Sequence, residues 1–87
     1  MIGQAGREKG DDVLVNVNLN TSDGVKVDIE SKVKQLFEKQ IEKSVKDVLD
    51  EMNIKNAQVS LKDYGALDFV IRARVTTAIR RAQGGVN

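Results

Sequence analysis

Residues 13–30, VLVNVNLNTSDGVKVDIE, decide the fold of this 87-residue chain, because apolar and polar side chains alternate along both halves of the stretch. A period of two with β-branched residues on one face is typical of half-buried strands. Residues 21–24, TSDG, supply turn chemistry between the halves, since Gly24 accepts a positive φ without steric cost. The stretch therefore predicts a β-hairpin, whose inward residues are Val13, Val15, Val17, Leu19, Val25, Val27 and Ile29.

The sequence period changes after the second strand and predicts a helix from Ser31 to Asn53. Ser31 is a good N-cap residue, because its side-chain oxygen can accept a hydrogen bond from a free backbone N–H. Opposite charges four residues apart, such as Glu42 and Lys46, indicate that one helix face is solvated. The opposite face has apolar residues at spacings of three and four: Val33, Leu36, Phe37, Ile41, Val45, Val48, Leu49 and Met52.

A third strand and a second helix complete the pattern. Alternation predicts a strand from Ala57 to Lys62, and Asp63-Tyr64-Gly65 ends it. A helix over residues 66–83 then buries Leu67, Val70, Ile71, Val75, Ala78 and Ile79.

The order strand-strand-helix-strand-helix predicts a small two-layer α+β domain, with an N-terminal β-hairpin and both helices on one sheet face. The helical connection favours a parallel relation between the second and third strands, while the place of the third strand in the sheet stays open. We expect the core to include Val15, Val17, Val27, Ile29, Phe37, Ile41, Val45, Val59, Leu61, Val70 and Ile71.

The two ends of the chain lack periodicity. Residues 1–11 contain Gly3, Gly6 and Gly10, which predicts a flexible N-terminal arm ahead of a domain over residues 12–83. Residues 84–87 are predicted to fray.

The composition excludes several classes of function. Because the chain has no cysteine and no histidine, it lacks thiol nucleophiles, thiolate or imidazole metal ligands, and the usual proton-transfer side chain. A net charge of +1, two phenylalanines, one tyrosine and no tryptophan argue against nucleic acid binding. No apolar run approaches the ~20 residues of a membrane helix. We expect a cytoplasmic protein that is not an enzyme by itself and does not contact membranes.

Residues 57–82, AQVSLKDYGALDFVIRARVTTAIRRA, resemble the C-terminal half of citrate lyase acyl carrier subunits. The core of the match is Asp63-x-Gly65-Ala66-Leu67-Asp68, followed by Arg72-Ala73-Arg74-Val75. Similarity continues backwards through Gly24-Val25, Glu30-Ser31-x-Val33 and Gln35-x-Phe37, so that the resemblance covers roughly residues 12–82. Order and spacing together carry the resemblance, because each piece alone recurs by chance.

The resemblance implies an acyl carrier without a reaction of its own. In that family a serine near the N-terminus is esterified to a phosphoribosyl-dephospho-CoA group. The thiol of this group carries acetyl or citryl between the acyltransferase and lyase subunits of the citrate lyase complex. Tethering on a mobile segment raises the effective concentration of the thioester at each active site. A carrier needs only a hydroxyl, a stable body and a docking surface.

The sequence departs from the family pattern at the attachment position. The family motif is approximately Ala-Gly-Thr-Leu-Glu-Ser-Ser/Gly-Asp-Val, and the matching residues 5–13 read AGREKGDDV. Gly10 falls on the modified serine and has no hydroxyl, so we expect the prosthetic group to be absent from this chain. Three explanations stay open: a natural relative that has lost the arm, an N-terminus altered from the natural one, or attachment at Ser22, which otherwise serves as a turn residue.

The resemblance and the charges of the last helix suggest a partner-binding surface made of Asp63, Gly65, Asp68, Arg72 and Arg74. The two arginines would suit a partner subunit or the phosphates of a coenzyme arm, and plain solvation is the alternative. We expect Asp63 to close a turn and not to bind a metal. Two other functions stay open: a small nucleic-acid-binding module that uses the basic last helix, and the carrier subunit of malonate decarboxylase.

Overall fold

The computed structural model describes residues 1–31 and 37–84 and confirms the α+β fold class. Both helices pack on one face of a single sheet, and the other face is open to solvent. The elements in chain order are β1 (Ile2–Gly6), β2 (Val13–Asn18), β3 (Val25–Ser31), α1 (Glu38–Glu51), β4 (Ala57–Asp63) and α2 (Asp68–Ala82).

The strand order β1-β2-β4-β3 places the last strand of the sequence inside the sheet. β2 pairs antiparallel with β1 and β4, and the predicted parallel relation between β3 and β4 is confirmed. The predicted hairpin between residues 13–19 and 25–29 is wrong, because the N-terminal hairpin joins β1 to β2. Gly24 does adopt a φ of 83°, but its N–H donates to Asn56 Oδ1 (2.9 Å) and its carbonyl oxygen accepts from Ala57 N (3.1 Å). The turn thus directs β3 to the edge of β4 opposite the one that pairs with β2.

β1 contradicts the prediction that residues 1–11 form a flexible arm. Its residues align with β2 from the Ile2–Asn18 pair to the Gly6–Leu14 pair, and Ala5 is buried. Gly3 lies against α2 so closely that a Cβ atom would stand 2.0 Å from the Ala78 carbonyl oxygen. This glycine therefore allows a helix backbone to approach a strand, a role that sequence inspection mistook for flexibility.

The core lies between the inward faces of β2 and β4 and the two helices. Its members include Val13, Val15, Val17, Ile41, Val45, Val48, Leu49, Val59, Leu61, Ile71, Val75 and Ile79. Among the predicted core residues, Val27, Ile29 and Val70 are half-buried. Phe37 remains 54% exposed, and Leu67, predicted to be buried by the last helix, remains 66% exposed. These two residues precede the first residues of α1 and α2, where no helical turn yet directs a side chain inward.

The bounds of α1 also differ from the prediction. Ser31 ends β3, and α1 begins at Glu38 with Phe37, not Ser31, at its N-cap position. The predicted helix positions 32–36, including Val33 and Leu36, lie outside the described residues, as do tail residues 85–87. The predicted stop at Asn53 is confirmed by its φ of 58°, which breaks the helical path. Within the described ranges, neither helix is long and apolar enough to cross a membrane.

Candidate functional site

The loop of residues 7–12 joins β1 to β2 and contains Gly10, which the motif match predicted to lie at the attachment position. Gly10 is exposed there, and in the described part of the chain no atom lies within 4 Å of the place where its Cβ would stand. Inside the loop, Asp12 N donates to the Lys9 carbonyl oxygen (3.0 Å), and Arg7 N donates to the Val13 carbonyl oxygen (3.2 Å). The loop thus presents Gly10 in open space.

The same loop is hydrogen-bonded to the segment between β4 and α2. Asp11 N donates to the Tyr64 carbonyl oxygen (2.9 Å), and Tyr64 N donates to the Asp12 carbonyl oxygen (3.0 Å). These two bonds continue the pairing of β2 with β4 beyond Val13 and Asp63. The β1–β2 loop and the motif over residues 63–68 therefore lie side by side at one end of the sheet.

A side-chain ion pair also fixes the loop. Arg74 of α2 donates through Nε to Asp12 Oδ1 (3.1 Å) and through Nη2 to Asp12 Oδ2 (2.9 Å). The Asp12 side chain is only 14% exposed, and its Oδ1 also accepts from Val13 N (2.7 Å). The hydrogen bonds from Arg74 are the main cause that lowers the pKa of Asp12 below its ordinary value. Sequence analysis missed Asp12, because 62 positions separate it from Arg74.

Asp63 and Gly65 shape the segment between β4 and α2. Asp63 is buried, and its Oδ1 accepts hydrogen bonds from the backbone N–H groups of Gly65 (3.1 Å) and Ala66 (3.0 Å). Gly65 has a φ of 95°, which favours glycine. The turn that Asp63 was expected to close is present. Among the described residues, no group of three acidic, cysteine or histidine side chains is placed to hold a metal ion.

Asp68 and Arg72 belong to a polar network that links the two helices. Asp68 accepts a hydrogen bond from the buried Ser44 hydroxyl of α1 and a second one from Arg72 Nε (2.8 Å). Arg72 Nη2 in turn donates to Asp47 of α1 (3.1 Å). The Ser44 hydroxyl, followed by Arg72, lowers the pKa of Asp68, and these ion pairs raise the pKa of Arg72.

An apolar surface adjoins this end of the molecule, and it was not expected from the sequence. Phe37, Leu67 and Phe69 are each more than half exposed. A cavity of about 400 Å³ opens between α1 and the start of α2, and its walls include Phe37, Leu67 and Ile71. The amphipathic pattern assigned Phe37 and Leu67 to the core, so the surface could have been found only with correct helix bounds.

The remaining predicted positions lie elsewhere. Ser22 is exposed in the connection between β2 and β3, at the opposite end of β2 from Gly10. On α2, Arg81 Nη1 donates to the Gln4 carbonyl oxygen (2.8 Å), so this base is engaged within the fold like Arg72 and Arg74. Arg80 is exposed.

Comparisons with known proteins agree with this architecture. A family model described as "ACP: Malonate decarboxylase delta subunit (MdcD)" matches residues 2–82. The citrate lyase acyl carrier protein of Halothermothrix orenii is 35% identical over 93% of this chain and 85% of its own length. That of Treponema denticola is 47% identical over 76% of each chain. A chain in the crystal structure of a Pseudomonas malonate decarboxylase hetero-tetramer in complex with malonate has a TM-score of 0.72 at 13% identity, covering 93% of this chain and 82% of that one.

The chain therefore belongs to this family of acyl carrier proteins. The predicted resemblance to the carrier subunits of citrate lyase is confirmed by the names and identities of these relatives.

Proposed function

We propose that this chain occupies the place of the acyl carrier subunit in a citrate lyase complex, between its lyase and acyltransferase subunits, and has no reaction of its own. The observation that carries the proposal is the β1–β2 loop. Its exposed tip at Gly10 is where the resemblance of residues 5–13 to the family motif would place the serine that holds the phosphoribosyl-dephospho-CoA group.

The β1–β2 loop of this chain has no residue at position 10 to which that prosthetic group could be attached. A phosphoester needs a side-chain hydroxyl, and Gly10 has none. The space around Gly10 would accept a serine side chain, so the deficit is chemical and not steric. We therefore propose that this chain, with glycine at position 10, keeps the folded carrier domain and its β1–β2 loop but carries no prosthetic group.

The apolar surface beside the loop supports docking to a partner subunit. Phe37, Leu67 and Phe69 are aromatic or large aliphatic side chains, and neighbouring exposed residues of this kind often mark interfaces. Of the residues expected to touch a partner, Asp63 is buried and Gly65 shapes the backbone, so both act by supporting this surface. Asp68, Arg72 and Arg74 lie beside it and are partly exposed.

The test is prosthetic-group transfer, measured by intact mass. The unsubstituted chain, Ser22→Ala, Gly10→Ser and Gly10→Ser/Ser22→Ala are incubated with the transferase of a citrate lyase system and its coenzyme precursor. We expect no mass increment on the unaltered chain and the same increment on both Gly10→Ser variants. An increment on the unaltered chain that Ser22→Ala abolishes would move the attachment site to Ser22 and contradict the proposal.

A carrier subunit of malonate decarboxylase is the second candidate. The description of the matching family model and the solved structure with the same fold favour it. Affinity purification against purified citrate lyase and malonate decarboxylase subunits separates the two, because the proposal predicts retention by the citrate lyase subunits only.

A further inference from the structure

β3 forms one edge of the sheet and, in the described part of the chain, pairs only with β4. Its register runs without interruption from Val25 to Ser31, so no bulge turns its free side away from other strands. The opposite edge differs, because in β1 the Gln4 carbonyl oxygen accepts a hydrogen bond from Arg81 Nη1 (2.8 Å) and Gly6 leaves the extended conformation with a φ of 94°. Of the two edges, β3 is therefore the one that a further strand can join.

The backbone groups on the free side of β3 belong to alternate residues. Ala57 N donates to the Gly24 carbonyl oxygen (3.1 Å), so Gly24 directs its backbone groups towards β4. Because successive residues of a strand direct their N–H and C=O groups to opposite sides, the even-numbered residues of β3 also face β4. The odd-numbered residues Val25, Val27 and Ile29 therefore direct their backbone groups to the open edge.

The side chains of the same three residues leave apolar surface at this edge. Val25, Val27 and Ile29 pack against the core on the helix face of the sheet but are only half-buried. A cavity of about 300 Å³ opens beside β3 and α1, with Val25 and Ile54 among its walls. α1 therefore does not cover the edge completely.

The solvent-facing side of β3 carries charges that complement themselves when the strand is reversed. Lys26 and Asp28 are both exposed there. In an antiparallel pair of two β3 strands centred on Val27, Lys26 of each copy lies opposite Asp28 of the other. Val25 then lies opposite Ile29, so the apolar side chains also face each other. Centring the pair one residue earlier or later would set two lysines or two aspartates opposite each other, so the charges select one register.

We propose that a second copy of this chain pairs with β3, antiparallel and centred on Val27, so that four strands from each copy form one continuous sheet. The twofold axis of such a pair is perpendicular to the sheet, which places the helices of both copies on the same face and buries the apolar surface of the two edges. Charged side chains on an edge strand ordinarily oppose pairing with other chains. A second copy supplies the opposite charge at each of these positions, which an arbitrary strand does not. The inference needs only the fold and the charges of β3 and is independent of the proposed function.

The first test is sedimentation velocity of the full chain from micromolar to millimolar concentration. We expect a monomer–dimer equilibrium with a dissociation constant in the micromolar range, because one pair of strands is a small interface. Lys26→Asp and Asp28→Lys should each raise that constant roughly tenfold, since either change sets like charges opposite each other at two places. Lys9→Asp is the matched control: it makes the same charge change in the β1–β2 loop, which β2 and β4 separate from β3, and should leave the constant unchanged.

Mixing the two variants tests the register itself. In a mixed pair the acidic side chains of Lys26→Asp lie opposite the basic side chains of Asp28→Lys, so the mixture should dimerise as tightly as the unsubstituted chain. A chain that stays monomeric at every concentration would overturn the proposal, and this is the result expected if a strand of another protein occupies the edge. Dimers that neither variant weakens, or variants that do not associate when mixed, would overturn it as well.

Amide hydrogen exchange locates the interface on the strand. Exchange at Val27, whose N–H faces the open edge, should slow as the concentration rises into the range of the dimer. Exchange at Asp28, whose N–H faces β4, should change much less. In a chain that dimerises, exchange at Val27 that does not respond to concentration would place the interface elsewhere and overturn the proposal.

Discussion

At the scale of single residues, the two glycines of β1 are needed for close backbone packing. Beyond the contact of Gly3 with the Ala78 carbonyl oxygen, a Cβ on Gly3 would also stand 2.5 Å from Ala82 N. Gly6 has a φ of 94°, and its Cβ would meet the Val13 carbonyl oxygen at 1.7 Å. The absence of side chains at Gly3 and Gly6 therefore lets β1, which leads into the β1–β2 loop, pack closely against α2 and β2.

Gly3→Ala should destabilise the fold by about 1–3 kcal/mol, because the added methyl group must push β1 away from the α2 backbone. The measurement is urea unfolding followed by circular dichroism. Gly10→Ala is the control, since its methyl group would enter open space. Equal unfolding free energies for the two variants would mean that β1 does not pack as described.

The Asp12 carboxylate should make stability depend on pH. Its pKa is lower in the folded chain than the ordinary value of 3.8, so folding favours the ionised form. The resulting stabilisation is fully present above that ordinary value and is lost as the pH falls through the lower, folded-state pKa. Asp47 and Asp68 act in the same direction.

We therefore expect the free energy of unfolding to fall on acidification from about pH 5 to pH 3, and to fall less in Asp12→Asn. Urea titrations across this range test the expectation. Asp23→Asn, at an exposed aspartate between β2 and β3, serves as the control and should keep the full pH dependence. An identical pH dependence in Asp12→Asn would show that Asp12 is not held by Arg74 in solution.

Residue roles were predictable where the cause is local. The turn at Asp63, the positive φ of Gly24 and the helix stop at Asn53 all follow from near neighbours in sequence, and all are present. The roles of Gly3 and Asp12 depend on α2, more than 60 positions away, and no local pattern reports such a neighbour.

At the scale of elements, the two helices are joined by polar as well as apolar contacts. The buried Ser44 hydroxyl donates to Asp68, and Arg72 connects Asp68 with Asp47 across the helix pair. Together they fix how α2 sits against α1, and hence where Arg74 and the apolar surface lie.

Ser44→Ala should raise the pKa of Asp68, because the Ser44 hydroxyl is the largest cause of its lowering. It should also reduce stability by about 1 kcal/mol, the usual net value of one hydrogen bond. Carboxyl-carbon NMR titration and urea unfolding measure the two effects. Thr77→Ala is the control, because that hydroxyl bonds only within α2 in the described structure, to the Ala73 carbonyl oxygen. An unchanged Asp68 pKa in Ser44→Ala would contradict the link between the helices.

Strands and helices were predictable as elements, but their partners were not. Alternation located β2, β3 and β4, and the spacing of apolar residues located the buried faces of α1 and α2. Strand pairing depends on two segments together, so one segment does not reveal its partner. The turn residues before β3 are compatible with a β2–β3 hairpin and equally with the observed connection past the end of β4. β1 was not predicted, because its five residues include two glycines and show almost no alternation of apolar and polar side chains.

At the scale of the whole molecule, the charges are balanced within the fold. The net charge is +1, and three of the four α2 arginines contact acidic side chains or a backbone carbonyl. An arginine paired in this way offers little to a phosphate backbone. The basic helix that kept a nucleic-acid-binding module open is therefore largely neutralised.

We expect no measurable binding of a fluorescent 20-base-pair DNA duplex by anisotropy at micromolar protein and physiological salt, because few phosphate contacts are available. A purified basic DNA-binding domain provides the positive control for the assay. Binding that weakens steeply as salt rises would revive the nucleic-acid alternative and count against the carrier function.

The central place of β4 has a consequence for how the protein is made. During synthesis β2 and β3 emerge before β4, so each first presents an edge of unpaired N–H and C=O groups to the surrounding solution. Such edges pair readily with other chains. Until residues 57–63 leave the ribosome, the nascent polypeptide is thus in its most aggregation-prone state. A product that stopped short of Ala57 would contain the β1–β2 pair and β3, without the strand that joins β3 to that pair.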